Sequence, residues 1–152
     1  MAITSGVPAA PDPGHALMAD DHAARMLGIT IEVPAPGVAT ARMLTSPEMG
    51  NGHGIVHGGY LFTLADTAFA FALNSHGRPG VSVHADIAFL LPARVGAELV
   101  AHATERVFDG RAGIYDVEVR DGDGALLAEV RVHGRIPARP HALRGARPEE
   151  DR

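Results

Sequence analysis

The stretch GGYLFTLADTAFAFALNS, residues 58–75, decides the architecture. Its apolar residues Leu61, Leu64, Ala65, Ala68, Phe69, Ala72 and Leu73 recur at the three- and four-residue steps of one helix face, and Gly77 and Pro79 end the pattern. Phe62, Ala70 and Phe71 occupy the other side, so the helix is apolar almost all round. Such a helix is buried.

Outward from this helix the chain alternates. HALMADDHAARMLG, residues 15–28, reads as one short amphipathic helix stopped by Gly28, and ITIEV and GVATARML read as strands joined through Pro34, Pro36 and Gly37. A Gly-rich loop spans Gly50 to Gly59. After the helix come four strand-like runs: Val81 to Leu91, Ala97 to Val107, Gly113 to Arg120 and Ala125 to Arg135. In the last two, Tyr115, Val117 and Val119, then Leu126, Ala128, Val130 and Val132, alternate with charged residues, which places these apolar residues on one face. Phe108 to Arg111 and Asp121 to Gly124 are hairpin turns. The expected class is therefore α+β, an antiparallel sheet wrapped around a long central helix. Pro-rich residues 1–13 and the charged stretch 136–152 read as tails around a single domain at 14–135. Open sheet edges and so apolar a helix invite pairing between subunits.

Composition narrows the chemistry. At 152 residues a single core is the default, and 46% hydrophobic with 20% charged residues is ordinary globular usage. A net charge of −5 and 5% aromatics argue against nucleic acid as a partner. There is no cysteine, hence no disulfide, thiolate ligand or Cys nucleophile, and all 13 cations are Arg, which excludes Lys Schiff-base and Walker-type phosphate chemistry. Residues 2–15 have neither a basic start nor a continuous apolar run, and Leu61 to Leu73 is too short and is broken by Asp66. A soluble cytoplasmic protein, away from membranes, is expected.

Asp66 is the one charged side chain between Gly58 and Ser75, with Phe62, Phe69, Ala70 and Leu73 around it on the helix. An ionised carboxylate there costs several kcal/mol unless it is paired, hydrogen-bonded or wetted. It is either a reactive acid at a cleft or an Asp satisfied by an Arg or a helix terminus. His57-Gly58-Gly59 opens the same helix, where free amides flanked by glycine suit a developing oxyanion. Gly58 and Asp66 are separated by roughly 12 Å at 1.5 Å per residue, so one carbonyl cannot touch both. Two helices packed antiparallel across a two-fold axis would bring Asp66 of one chain to Gly58 of the other, giving an obligate dimer with two composite sites.

The runs NGHGIVHGGYLFTLADTAFAFALNSHG, GVSVHADIAFLLPA and GIYDVEV together closely resemble the PaaI branch of the hotdog-fold thioesterases, over about residues 15–135. The resemblance implies a hotdog fold, a homotetramer built as a dimer of dimers, and hydrolysis of acyl-CoA, (hydroxy)phenylacetyl-CoA among others, with no metal or other cofactor. It assigns Asp66 as the catalytic carboxylate, base or nucleophile, the Gly58 amide as the donor that polarises the carbonyl, Asn51 as the group that orients carbonyl or water, and Ser82 as a hydroxyl that helps place the water. His57, Gly59 and Thr67, beside these residues, are assigned to substrate binding. Relatives often carry a basic residue where this chain has Leu91, which leaves Arg78, Arg94, Arg111 and Arg135 as candidates for CoA phosphates. His53 and His57 have H-x3-H spacing, but the glycines around His53 put them in a loop rather than on one helical face with Asp66 and His84, so no metal is expected. A hydratase using His57 with Asp66, or a non-catalytic acyl-CoA-binding module, are the alternatives.

Overall fold

The computed structural model describes residues 13–139; residues 1–12 and 140–152, within the stretches read as tails, lie outside the described residues. The elements are α1 (Pro13–Asp20), α2 (His22–Met26), β1 (Thr30–Ala35), β2 (Val38–Leu44), a 3-10 turn (Pro47–Met49), α3 (Gly58–Asn74), β3 (Val81–Phe89), β4 (Glu98–Phe108), β5 (Ala112–Asp121) and β6 (Leu126–Arg135). The strands form one sheet in the order β1-β2-β4-β5-β6-β3, with antiparallel neighbours throughout. No helix among the described residues is long and apolar enough to cross a membrane.

The sheet curls around α3 because its inner face is made of small residues where the helix comes closest. Ala39 pairs with Ala103 and Ala41 with Ala101 on β2 and β4, and all four are fully buried. Bulkier Tyr115, Val117, Val119, Val130 and Val132 fill the space under β5 and β6. Glycine does the same job at the tightest point: a Cβ on Gly134 would lie 2.8 Å from both Leu73 Cδ2 and Phe69 Cζ.

Both ends of α3 are tied. His57 is the N-cap, its Nδ1 accepting the Gly59 N–H at 3.0 Å. At the other end buried Asn74 accepts the Gly80 N–H at 2.9 Å and donates to the Gly80 carbonyl at 3.1 Å, which fixes where β3 starts relative to the helix.

Three sequence expectations are corrected. The first helical segment is two helices, because the Asp21 carboxylate accepts the Ala24 N–H at 2.9 Å and starts a new helix. Leu126 does not share the core face with Ala128: the register shift after Val119 opens a bulge, and Leu127 is the buried residue. Pro13 opens α1, and Ile136, read as tail, is 1% exposed with its N–H on the Arg111 carbonyl at 2.7 Å, so the core extends past 135.

Over-packing under the helix gives a direct test. Gly134→Ala should destabilise the protein by about 1–3 kcal/mol, while Gly122→Ala, with open space around its Cβ, should leave the denaturation midpoint unchanged.

Candidate active site

The face of α3 that the sheet leaves partly open is the stripe Gly59, Phe62, Thr63, Asp66 and Ala70. Asp66 is half-buried on it. Burial pushes its carboxyl above the usual value of 3.8, a side-chain hydrogen bond with Ser82 works against the rise, and the nearby Asp21 carboxylate adds to it. No cation contributes, so the arginine partner that would have made Asp66 a structural residue is not found among the described residues.

Ser82 reaches the helix side through a feature that alternation hides. In β3, Ser82 pairs with Gly134 but His84 pairs with His133, so Val83 is an extra residue in the ladder. With strict alternation Ser82 would share the outer face with His84 and Asp86. The bulge turns Ser82 to the face of Ala85 and Ile87, which look at α3.

At the head of α3 lies a second half of the arrangement. The Gly58 amide donates to no acceptor among the described residues, whereas the Gly59 amide is taken by His57. Asn51 Oδ1 accepts from the His53 and Ile55 amides at 2.9 and 3.4 Å, which builds the loop and leaves Nδ2 free to donate. Asn51 and Gly58 line one cleft of about 430 Å³, whose other walls include Ile55, Leu61, Phe89, Leu91 and Pro92. A hydrogen-bond donor in an apolar cleft is the setting in which a carbonyl is polarised most strongly.

One chain thus brings Asp66 to Ser82, and separately Asn51 to Gly58. It does not bring the pairs together, nor His57 to Asp66, since His57 and Gly58 stand at the start of α3 and Asp66 lies two turns further along the same helix. Thr67 is buried and its hydroxyl donates to the Thr63 carbonyl at 2.8 Å. His84 sits on the outer face with its Nε2 2.9 Å from Asp86, away from Asp66, and no group of three possible metal ligands occurs among the described residues. Of the candidate arginines, Arg78 donates to the Gly110 carbonyl and Arg94 lines a groove beside the cleft. Another concavity, about 590 Å³ on the outer face of the sheet, is lined by charges already engaged with each other, Arg131 and Arg106 both on Asp116. Phe89 was not singled out from sequence; an aromatic ending a strand just before Leu90-Leu91-Pro92 was the available signal.

The thioesterase superfamily pattern matches residues 53–128, from the loop before α3 into β6. The chain belongs to the thioesterase superfamily. This thioesterase is 43% identical to the acyl-coenzyme A thioesterase PaaI of Escherichia coli (strain K12) over 105 residues, 69% of this chain and 75% of that one. The solved structure of E. coli PaaI superposes with a TM-score of 0.81 at 37% identity, covering 83% of this chain and 91% of that one. Acyl-coenzyme A thioesterase 13 of Homo sapiens is 39% identical over 82 residues, 52% of this chain and 59% of its own. The thioesterase is therefore an enzyme of the PaaI type with the hotdog fold, as its sequence resemblance implies.

The raised carboxyl of Asp66 has a consequence for stability. The folded thioesterase holds this proton at pH values where the unfolded chain has released it, so stability falls as pH rises from 3.8 through the raised value, and the penalty is complete above it. Asp66→Asn should resist denaturant better than the parent at neutral pH, with the gap closing below the ordinary carboxylate value. A gap that persists in acid would assign the difference to packing.

Proposed function

We propose that the enzyme hydrolyses acyl-CoA thioesters, aryl-acyl groups such as phenylacetyl among them, at sites shared between two protomers. Asp66 and Ser82 come from one protomer, and the Gly58 amide and Asn51 from the other. The observation that carries this reading is Asp66 itself, a carboxylate with no cation beside it, held on a partly open face of an apolar helix. The relatives named for acyl-coenzyme A support the choice of thiol, and the E. coli PaaI protein, which comes from a phenylacetic acid degradation operon, supports the aryl group.

Dimerisation is supported by β3. It is one edge of the sheet, and Val81, Val83, Leu90 and Leu91 on and after it are 41–56% exposed. An unpaired edge with so much apolar surface calls for a second strand, and β3 of another copy would extend the sheet and set two α3 helices side by side. Pairing of two such dimers would give the tetramer implied by the family resemblance.

In the reaction, the Gly58 N–H and the Asn51 amide donate to the carbonyl oxygen as it gains negative charge. Asp66 takes a proton from water, held with the help of Ser82, as the water oxygen bonds to the carbonyl carbon. Collapse breaks the C–S bond, and the departing thiolate takes up the proton. Attack by Asp66 itself, giving a mixed anhydride that water then opens, yields the same products. In a first turnover in isotopically labelled water, label entering Asp66, by attack of water on the Asp66 carbonyl of the anhydride, excludes pure base catalysis.

Complementation tests the shared site. Asp66→Asn and Asn51→Ala should each lose at least about a hundredfold in kcat and remain dimeric. Co-expressed, they should recover about a quarter of the parent activity, because half of a statistical mixture is heterodimer with one intact site. No recovery, with heterodimers present, would place all the machinery within one chain.

A further inference from the structure

The cleft beside Gly58 has an aromatic wall whose position carries a statement about specificity. A Cβ on Gly58 would stand 2.9 Å from both Cε1 and Cζ of Phe89, so the ring lies directly over the residue whose amide is free. Phe89 ends β3 on the face turned toward α3, opposite buried Ala128, yet it remains 56% exposed. Its ring is therefore not spent on the core. Around it the cleft is apolar, with Ile55, Leu61, Leu91 and Pro92 among its walls and Asn51 as its polar side chain. A neighbouring groove of about 770 Å³ shares Ile55, Leu91 and Pro92 with this cleft and adds Arg94, Glu98, Asp121 and Asp123.

A thioester substrate has a hydrocarbon end and a polar, amide- and phosphate-bearing end. Amides and phosphates entering the apolar cleft would lose their hydration with one side chain to replace it, whereas an acyl chain gains by entering. The carrier end then stays outside the cleft, where water keeps its phosphates hydrated. With the carbonyl oxygen on the Gly58 amide, the first carbons of the acyl group then lie against Phe89.

Given the proposed acyl-CoA hydrolysis, we infer that Phe89 is a specificity-determining residue that limits the bulk of the acyl group. The test compares the parent with Phe89→Ala, Phe89→Leu and Phe89→Trp on acetyl-, hexanoyl-, decanoyl- and phenylacetyl-CoA, following thiol release. Phe89→Ala should raise the kcat/KM ratio of decanoyl- to acetyl-CoA by about tenfold or more, Phe89→Leu by less, and Phe89→Trp should lower it. A uniform change across the four substrates, in dimeric protein, overturns the assignment and leaves Phe89 a packing residue. If Phe89→Ala fails to fold, the Leu and Trp variants carry the same comparison in both directions. Parent protein that releases no thiol from any of the four would instead defeat the acyl-CoA reading. In that event calorimetric binding of the same four compounds to the parent and to Phe89→Leu still decides whether Phe89 discriminates acyl size, with equal changes in Kd counting against it.

Discussion

A helix apolar on nearly every side can be accommodated in a chain of this size only if a sheet closes around it, and closure depends on small side chains where helix and strands meet. Ala39, Ala41, Ala101 and Ala103 give that approach on one flank, and Gly134 gives it on the other. Had these positions carried Val or Leu, α3 would be pushed outward and the strands could not curl over it. The price is that six strands do not complete the circle. A stripe of α3 stays partly open and β3 stays an unpaired edge, and both are consequences of the same packing.

The proposed chemistry resides on that open stripe. A carboxylate on the enclosed faces would meet the inner sheet and need full compensation, while one on an exposed surface would be an ordinary solvated acid. Asp66 falls between the two, desolvated enough for its carboxyl to be pushed up and accessible enough to meet a substrate. The helix also presents its first free amide eight positions earlier, beyond the reach of the same acid. For an acid and an amide proposed to serve one carbonyl, the geometry of a single helix is therefore a stronger reason for a second copy than any surface property.

Much of this was legible in the residues. The period of residues 58–75 gives α3 within one residue of its observed end, and alternation with turn residues locates all six strands. What pattern cannot give is a departure from the pattern. Val83 adds one residue to β3, and nothing about a valine in a strand marks it as extra, yet that insertion is what turns Ser82 from the outer face toward Asp66. Resemblance assigned Ser82 its place where alternation would have sent it away. Leu127 was missed for the same reason, and Phe89 because its neighbour across space, Gly58, is thirty-one positions distant in sequence. Asp21 could be read as a helix start, but its position within a run of good helix formers masked the break.

A second carboxylate shows why burial by itself does not identify a reactive acid. Glu105 also turns toward the core, continuing the inward alternation of Leu99, Ala101 and Ala103 on β4, and its side chain is 25% exposed. It accepts the Tyr115 hydroxyl at 2.7 Å and the His76 Nε2, and His76 in turn stacks on Phe108 with 4.2 Å between ring centres. Each partner is itself anchored, so the oxygen that faces the interior is spoken for. Asp66 has one hydroxyl and a repelling neighbour. Two acids, one on α3 and one on the inner face of the sheet, thus diverge through what surrounds them: Glu105 is consumed in joining β4, β5 and the turn after α3, and Asp66 is left with bonding capacity that water could use.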